Sequence, residues 1–385
     1  MLLTAGTVLT GGELLRPGWL EVSGARITAV GGGEPPRPAD RSLPEATVVP
    51  GFVDTHVHGG GGASFSGGTA QTAAAVTLHR RHGTTTMMAS LVSEAPDDLL
   101  RQVSTLADDV RSGLLAGIHL EGPWLAEKRC GAHDPGLLRD PDPTEMDRLF
   151  AAAGGTIRMV TIAPERAGAL EAIRRVVDAG AIAAVGHTEA TYSQTRAAIA
   201  AGATVATHLF NAMRPIHHRE PGPVIALLED PRVGIEVIAD GVHVDPALYR
   251  HVSRSAGVDR VGLVTDAMAA AGMPDGDYRI GPLAVEVSGA VARLAGTDTI
   301  AGSTATMDRL FRFAVAAGGL PRDEALAEAV RQSSINPART LGLPSPELAP
   351  GARADLVVLD AELAVVDVLY AGAWAGGVGD SVSSA

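Results

Sequence analysis

The 385-residue sequence predicts an α/β fold: a (β/α)8 TIM barrel with a small discontinuous β-sandwich domain made from the N- and C-terminal segments. Two observations support this prediction. Between residues 51 and 342, eight short apolar runs alternate with Ala/Leu/Arg helical patterns. Outside that region, short strand-like segments are separated by Gly and Pro. We therefore expect a barrel at 51–342 and a small domain made from 1–50 and 343–385.

The barrel strands are predicted, in order, at residues 51–58, 84–91, 115–121, 157–163, 181–187, 203–208, 233–240 and 260–266. Helical patterns such as ALEAIRRVVDAG and SQTRAAIAAG lie between many of them and end on glycine, as helix C-termini commonly do. The terminal segments, for example GWLEVSGARITAV and ADLVVLDAELAVV, are typical of short antiparallel strands.

The net charge, the cysteine count and the lengths of the apolar runs exclude several classes of protein. The formal net charge of -13 argues against a nucleic-acid partner, because phosphate backbones bind basic surfaces. The single cysteine, Cys130, excludes an internal disulfide and suits a reducing cytoplasm. We expect no signal peptide and no membrane span, because no apolar run approaches the roughly 18 residues that a span requires. The sequence predicts a cytoplasmic protein with a small-molecule partner.

The stretch GFVDTHVHGG, residues 51–60, places two histidines at the end of the first predicted strand. Residues i and i+2 of a strand point to the same face, so His56 and His58 should project together. Two imidazoles on one face can hold a metal ion, although the same pair also fits two surface histidines in a loop. The residues at the ends of the other predicted strands distinguish between these two interpretations.

Polar side chains recur at the C-terminal ends of further strands, which is where such a barrel carries its catalytic groups. One histidine in such a place is usually structural, but several on separate strands predict a metal site. Imidazole and carboxylate ligands suit zinc, with iron, cobalt, nickel, manganese or cadmium as alternatives. The residues are His119 and Glu121 on strand three, His187 on strand five, His208 on strand six and Asp266 on strand eight.

Nine motifs between about residues 50 and 305 resemble the amidohydrolase superfamily and, within it, the N-acetylglucosamine-6-phosphate deacetylase family. They are PGFVDTHVHG, HLEGPW, CGAHDP, VGHTEATY, THLFNAM, HHREPG, IADGVHV, LVTDAM and AGS. HLEGP with THLFNAM is highly specific, whereas many amidohydrolases share the HxH pair. The resemblance implies hydrolysis of N-acetyl-D-glucosamine 6-phosphate to D-glucosamine 6-phosphate and acetate, in amino-sugar catabolism and cell-wall recycling.

The resemblance also implies that Glu121, His187 and His208 hold a catalytic divalent metal. Some members of the family lack the first-strand histidine pair and use one metal. Because this chain contains His56 and His58, we expect two divalent ions per chain, bridged by Glu121.

The identity of the bridging group has independent support. Many two-metal amidohydrolases use a carboxylated lysine on the fourth strand, but TIRMVTIAPE contains no lysine, and the single Lys128 lies in a predicted loop. A carboxylate must then bridge, and Glu121 is the obvious one. His119 shares its face and could compete with it, but we expect His119 to support or pack against the ligands.

Amide hydrolysis requires a metal that polarises the carbonyl and lowers the pKa of bound water toward about 7. It also requires a carboxylate that takes the proton and delivers it to the departing amine, a role worth roughly a hundred- to ten-thousand-fold. Asp266 occupies the family's position for this acid/base and is also expected among the metal ligands. His133 resembles the family's histidine near the scissile carbonyl. Without the resemblance, Asp266 also fits a strand-end cap or structural ligand, and His133 an ordinary loop histidine.

The sugar phosphate requires hydrogen-bond donors, and Arg219 can hold a phosphate with two parallel N–H groups. In the family this arginine reaches the phosphate bound to a neighbouring subunit, which implies a homodimer. The resemblance further implies a set of residues lining the substrate site: Ala132, His133, Asn211, Ala212, His243, Ile300, Ala301 and Gly302.

Three alternatives to this function are open. N-acetylgalactosamine 6-phosphate differs from the glucosamine isomer at one hydroxyl, which a sequence cannot place. Another amidohydrolase, such as a cytosine deaminase or a dihydroorotase, is disfavoured by the missing lysine bridge and by HLEGP. A non-catalytic binding protein is a remote alternative, because it has no need of Asp266 beside metal ligands. The sequence also leaves open whether Cys130 is redox-sensitive or only a tolerated small residue.

Overall fold

The computed structural model describes residues 1–376. Its chain packs as two compact units. Of the described residues, one unit comprises 1–54, 77–86 and 306–376, and the other comprises 55–76 and 87–305. The last nine residues of the expected 343–385 segment, 377–385, lie outside the described residues.

The strands are numbered in chain order. They are β1 (Leu2–Leu9), β2 (Leu14–Leu15), β3 (Gly18–Ser23), β4 (Arg26–Gly32), β5 (Arg41–Pro50), β6 (Phe52–Asp54), β7 (Gly59–Gly60), β8 (Ala63–Ser64), β9 (Thr84–Leu91), β10 (Gly117–Glu121), β11 (Ile157–Ile162), β12 (Ile182–Val185), β13 (Ala203–Ala206), β14 (Gly234–Val237), β15 (Val261–Leu263), β16 (Gly276–Ile280), β17 (Leu283–Ser288), β18 (Val291–Leu294), β19 (Leu356–Leu359), β20 (Val365–Tyr370) and β21 (Ala373–Trp374).

The helices are numbered in the same way. They are α1 (Thr69–Arg81), α2 (Pro96–Arg111), α3 (Pro143–Ala153), α4 (Ala169–Asp178), α5 (Tyr192–Ala201), α6 (Gly222–Glu229), α7 (Pro246–Ala256), α8 (Met307–Ala317), α9 (Arg322–Val330) and α10 (Asn336–Thr340). Short 3-10 turns occur at Phe65–Gly67, Glu127–Arg129 and Pro135–Leu137, and a π-helical turn at Arg331–Ile335. None of the helices within residues 1–376 has the length and apolar character needed to cross a membrane.

One eight-stranded sheet is the predicted barrel. Its order is β15-β14-β13-β12-β11-β10-β9-β6, and every pairing from β9 to β15 is parallel. A parallel bridge between Val57 and Ala267 joins the two edges, and the Asp266 N–H donates to the His56 carbonyl. Each observed strand lies within its predicted range, so the barrel prediction is confirmed.

Helix α5 shows how the sequence ends a barrel helix. Thr191 accepts a hydrogen bond from the Gln194 N–H, and the Gln194 side chain accepts from the Thr191 N–H, which together form a capping box. At the other end, Gly202 follows the last helical residue with a φ of 117°. The glycine stop that the pattern SQTRAAIAAG predicts is therefore confirmed.

The terminal segments form a second sheet, in the order β21-β20-β19-β5-β1-β3-β4, with β2 paired to β1. The C-terminal strand β19 pairs antiparallel with β5, so the two ends of the chain meet as expected. The expectation of antiparallel strands throughout is wrong for β1 and β5, which run parallel. The reason is that the β3–β4 hairpin and residues 33–40 return the chain to the end of the sheet at which β1 begins.

The sheet β16-β17-β18 was not expected from the sequence. Its central strand alternates, with Val285 and Val287 buried between exposed neighbours. These two residues share a hydrophobic core with Met268, Ile280 and Ala292. The period-two pattern in LAVEVS, followed by a Gly-Ala turn, is the signal from which the sheet could have been predicted.

Candidate metal centre and active site

Glu121 lies at the centre of a buried cluster of histidines at the C-terminal ends of the barrel strands. Its two carboxylate oxygens face different histidine pairs. Oε2 is 3.1 Å from Nε2 of His58 and 3.4 Å from Nε2 of His56. Oε1 is 3.0 Å from Nε2 of His187 and 2.9 Å from Nε2 of His208. The carboxylate therefore occupies the position that a group bridging two cations would need.

Asp266 completes the half of the cluster that contains the first-strand histidines. Its Oδ1 lies 3.1 Å from Nε2 of His58 and 3.4 Å from Nε2 of His56. One ligand atom each from His56, His58, Glu121 and Asp266 lies within 4.8 Å of all the others, and all four residues are buried. Each first-strand histidine thus contacts both carboxylates.

The hydrogen bonds made by the imidazole Nδ1 atoms indicate whether this cluster fits a metal. Nδ1 of His58 is 3.2 Å from the Ser90 carbonyl oxygen, and Nδ1 of His187 is 2.8 Å from that of Arg129. A carbonyl only accepts, so each Nδ1 carries a proton, and in the neutral ring each Nε2 presents a lone pair. These Nε2 atoms lie near carboxylate oxygens and about 3.1 Å from another imidazole nitrogen. Converging lone pairs repel one another unless a cation lies among them, so the donor set fits a divalent metal.

The local backbone also distinguishes this centre. His187, His208 and Asp266 have φ values of 47°, 28° and 48°, in the left-handed region that non-glycine residues rarely adopt. Gly186 permits the approach to this turn, because a Cβ there would lie 2.7 Å from the Cβ of Thr207. Such strained residues persist only where the surrounding structure imposes them, and they cluster at functional sites.

The charges of the cluster reinforce one another. Burial opposes the charge of Asp266, but His56 and His58 outweigh it and lower the pKa of the carboxyl to about 2. Burial likewise disfavours protonation of His56, but Glu121 and Asp266 raise the pKa of this histidine well above its ordinary value. The two carboxylates therefore favour positive charge at this point, which is the charge that a divalent cation carries.

His133 faces the same centre but differs from His58 and His187 in its tautomer. Its Nδ1 accepts a hydrogen bond from the Ser93 N–H at 3.2 Å, so in the neutral ring Nε2 carries the proton. That Nε2 lies 3.5 Å from Oε2 of Glu121. Burial lowers the pKa of His133 to about 4, although Glu121 acts in the opposite direction. His133 is therefore neutral near pH 7 and presents an N–H group toward Glu121.

His119 does not point its nitrogens at the cluster. Nδ1 lies 2.9 Å from Oγ of Ser90, and Nε2 lies 2.8 Å from Oγ1 of Thr161. Its ring meets the edge of the His56 ring at a centroid distance of 4.6 Å. Both nitrogens are thus engaged by hydroxyl groups, as expected for a residue that supports the ligands.

A cavity of about 430 Å³ opens onto the cluster, within the usual range for small ligands of about 300–1,000 Å³. Two of the sequence-predicted substrate residues do not line it. Ala301 is fully buried and packs in the core beside β17, and Arg219 is exposed, with Nη1 2.8 Å from Nε2 of His218. The other predicted substrate residues do line it: Ala132, His133, Asn211, Ala212, His243, Ile300 and Gly302.

Several supporting residues were not identified from the sequence. Ser90 and Ser93, near the end of β9, orient His58 and His133. On β14, Oε2 of Glu236 lies 3.6 Å from Nδ1 of His56, while Oε1 accepts a hydrogen bond from Thr55. Polar residues at the ends of the second and seventh strands, in LVSEAP and GIEVIADG, were the available signal.

A parallel barrel with a His/Glu/Asp centre at its strand ends defines the class of protein. The sequence matches the amidohydrolase family over residues 47–377, and the chain belongs to that family. It is similar to a solved N-acetyl-D-glucosamine-6-phosphate deacetylase from Mycobacterium smegmatis, an aspartate-to-alanine variant in complex with N-acetyl-D-glucosamine-6-phosphate. The identity is 67%, the TM-score 0.97, and the match covers 98% of this chain and 99% of that one.

Two further relatives belong to the same group of enzymes. The N-acetylgalactosamine-6-phosphate deacetylase of Escherichia coli O157:H7 is 37% identical over 368 residues, covering 93% of this chain and 96% of that protein. The N-acetylglucosamine-6-phosphate deacetylase of Bos taurus is 36% identical over 379 residues, covering 93% and 91%. The resemblance expected from the motifs is confirmed.

Proposed function

We propose that this amidohydrolase hydrolyses the acetamide of N-acetyl-D-glucosamine 6-phosphate to D-glucosamine 6-phosphate and acetate. One observation carries the proposal: the two oxygens of Glu121 face separate histidine pairs at the base of a cavity of about 430 Å³. The relatives named for this reaction match nearly the whole chain. The remote alternative of a non-catalytic binding protein has no comparable support.

Two divalent ions, for which zinc is our first choice, would be held by this centre. Glu121, His187 and His208 would hold one, and His56, His58, Asp266 and the second oxygen of Glu121 the other. When bound, a divalent ion supplies Lewis-acid polarisation of the amide carbonyl and lowers the pKa of a water toward about 7.

Two side chains would carry out the remaining chemistry. Asp266, ionised and facing the centre, accepts the proton of the attacking water and returns it to the departing amine nitrogen. His133 donates its Nε2–H to the carbonyl oxygen of the acetamide, which stabilises the negative charge that develops there. The hydrogen bond from Ser93 to Nδ1 holds His133 in the tautomer that this role needs.

The finer parts of the proposal concern substrate contacts and assembly. The lining residues Ala132, Asn211, Ala212, His243 and Ile300 to Gly302 would surround the sugar, with Ala301 contributing through its backbone. Arg219 would reach the phosphate in the active site of a neighbouring subunit of a homodimer. We also retain the domain boundaries 1–50, 51–342 and 343–385, and a cytoplasmic location, as parts of this proposal.

The proposal is tested by acetate release from a panel of phosphorylated and unphosphorylated N-acetyl sugars, with the enzyme loaded with one defined metal at a time. We expect the greatest kcat/KM for N-acetylglucosamine 6-phosphate, and chelator-treated enzyme should lose the activity until metal is returned. Absence of acetate release from every phosphorylated sugar would refute the assignment.

The galactosamine isomer is the second candidate, because the 37% identical relative from Escherichia coli O157:H7 is named for that substrate. The two sugars differ only in the configuration of one hydroxyl group. Comparing kcat/KM for the two 6-phosphates on the same preparation decides between them. A preference for N-acetylgalactosamine 6-phosphate would transfer the assignment to the isomer while leaving the metal chemistry unchanged.

A further inference from the structure

Lys128 is the only lysine of the chain, and it lines the cavity above the metal centre. It is exposed and lies in the 3-10 turn Glu127–Arg129. Within residues 1–376, its ammonium group forms no ion pair or hydrogen bond. The cavity wall therefore contains a cation whose charge no protein group compensates.

The turn that carries Lys128 is attached on both sides to the loop of His187. The Ala126 N–H donates to the His187 carbonyl at 3.0 Å, and Nδ1 of His187 donates to the Arg129 carbonyl at 2.8 Å. Nε of Arg129 then donates to Oε1 of Glu189 at 2.5 Å. These contacts fix the position of the Lys128 backbone relative to a residue of the metal centre.

Lys128 is a cation of the cavity wall that has no paired carboxylate among the described residues. Three acidic residues line the wall, Glu121, Asp266 and Asp298. Arg129 also lines it, but its guanidinium is paired with Glu189. Nδ1 of His243 faces Oδ2 of Asp240 at 2.8 Å, so a carboxylate accompanies that ring as well. Because Glu121 and Asp266 belong to the proposed metal centre, a phosphate bound elsewhere in the cavity needs a positive partner on the wall, and Arg219 lies outside the lining of its own chain's cavity.

We propose that the Lys128 ammonium binds the phosphate of the substrate from the same chain that holds the metal centre. This inference rests on the proposed function and adds a specificity-determining contact to it. Lys128 would draw the anionic end of the sugar phosphate to the mouth of the cavity, and the attached turn would align that end with the acetamide at the metal centre. A lysine acts here as a flexible point charge, which suits a mobile phosphate group.

The first test is substitution of Lys128. Lys128→Met keeps most of the apolar stem and removes the charge. A charge-assisted contact of this kind corresponds to about a tenfold change. We expect kcat/KM for N-acetylglucosamine 6-phosphate to fall about tenfold, mainly through KM, and to fall far less for unphosphorylated N-acetylglucosamine. Lys128→Arg should retain most of the phosphate preference.

Arg254→Met is the matched control, because it removes one exposed positive charge on α7 and leaves the cavity unchanged. It should not alter the ratio of the two kcat/KM values. Equal losses on both sugars for Lys128→Met, or no loss on either, would overturn the inference and leave the deacetylase assignment standing.

A second test measures the contact between Lys128 and the phosphate without catalysis. Amine-selective acetylation can modify only Lys128 and the N-terminal amine, which donates to the Val22 carbonyl and serves as an internal reference. In the Asp266→Asn variant, N-acetylglucosamine 6-phosphate should slow modification of Lys128 several-fold, while N-acetylglucosamine should not. Equal modification with either sugar overturns the inference. Absence of acetate release by the unsubstituted enzyme would instead refute the deacetylase function, and the protection experiment would still decide the phosphate contact.

Discussion

Asp266 is charged in a position where burial opposes its charge. It is 8% exposed, and two imidazoles lower its pKa to about 2. It lies beyond the end of β15 with a backbone φ of 48°, and Gly302 passes so close that a Cβ there would lie 2.9 Å from the Asp266 carbonyl oxygen. The neighbouring imidazoles thus keep the Asp266 carboxylate ionised within the cluster, which is the state that the proposed proton acceptor needs.

Asp266→Asn should lower kcat for acetate release by at least about a hundredfold, because an amide cannot accept the proton of the water. The side chain keeps its size, so the thermal unfolding midpoint should change little. Metal content measured on the same preparation is the control. A metal-loaded variant that retains most of the parent activity would show that Asp266 is not the acid/base.

The first barrel strand contributes two of the proposed metal ligands beyond its last paired residue. Strand β6 ends at Asp54, and His56 and His58 follow in an extended segment whose Val57 bridges to Ala267. Because both rings project to one side, the segment supplies half of the cluster, while the other histidine pair comes from the residues just after β12 and β13. Glu121 is the carboxylate that the two halves share, so we expect their metal occupancy to respond separately to mutation.

We expect two divalent ions per chain, measured by elemental analysis of protein prepared without chelator. Replacing His56 and His58 together with alanine should reduce the content to about one ion, because Glu121, His187 and His208 stay intact. Circular dichroism serves as the control for folding. A parent protein that saturates at one ion, or a double variant that still holds two, would contradict the two-metal arrangement.

Helix α8 carries a buried carboxylate that contacts His82, the residue after α1. Oδ1 of Asp308 lies 3.1 Å from Nδ1 of His82 and accepts from Oγ1 of Thr306 at 2.6 Å, and Oδ2 lies 2.8 Å from Nη1 of Arg312. Burial raises the pKa of Asp308, but His82, Thr306 and Arg312 outweigh it and lower the pKa to about 2. The ionised form is therefore stabilised by folding.

This lowered pKa predicts a pH-dependent contribution to stability. A carboxyl whose pKa is lower in the folded state stabilises the fold above its unfolded pKa of about 4, and the contribution is lost as pH falls toward about 2. The free energy of unfolding of the wild type, relative to that of Asp308→Asn, should drop by roughly 2 kcal/mol between pH 5 and pH 2. Urea unfolding at several pH values measures this difference, and a difference that is constant with pH would refute the prediction.

The segment between β13 and α6 exposes basic side chains next to an apolar one. His217, His218 and Arg219 are exposed, and the neighbouring Ile216 is 52% exposed. Glu220 accepts from the Tyr192 N–H at 2.8 Å, which anchors the segment to the start of α5. An anchored, exposed cation next to an exposed apolar residue suits a contact with a second copy of the chain, as proposed for the homodimer.

Arg219→Ala should lower kcat/KM for N-acetylglucosamine 6-phosphate by at least about tenfold and should scarcely affect unphosphorylated N-acetylglucosamine. Equal losses on both sugars would mean that Arg219 supports the fold or the dimer instead. Mixing Arg219→Ala chains with Asp266→Asn chains tests the role of the partner. If Arg219 acts across the dimer, some heterodimer sites contain both functional residues and activity returns. Activity no greater than the sum of the separate variants would place Arg219 in its own chain's site.

Local patterns in the sequence were enough to predict the barrel and its polar strand ends. Alternation of apolar runs with helical segments predicts eight strands, and the parallel arrangement brings their C-terminal ends to one rim. For that reason His56, His58, Glu121, His187, His208 and Asp266 could be grouped before any distance was known. Their roles as ligands and as acid/base stay predictions. The sheet β16-β17-β18 was missed although its alternation is visible in the sequence.

Only the tertiary structure decided how the members of the cluster relate to one another. Periodicity assigns a side chain to a face, but it gives neither the distance between strands nor the backbone turn beyond a strand end. Each carboxylate oxygen of Glu121 faces a different histidine pair because closure of the barrel brings these strands together. The tautomers of His58 and His187 depend on the carbonyl groups of Ser90 and Arg129. These partners are 32 and 58 residues away in the sequence, so only the folded chain brings them within hydrogen-bonding distance.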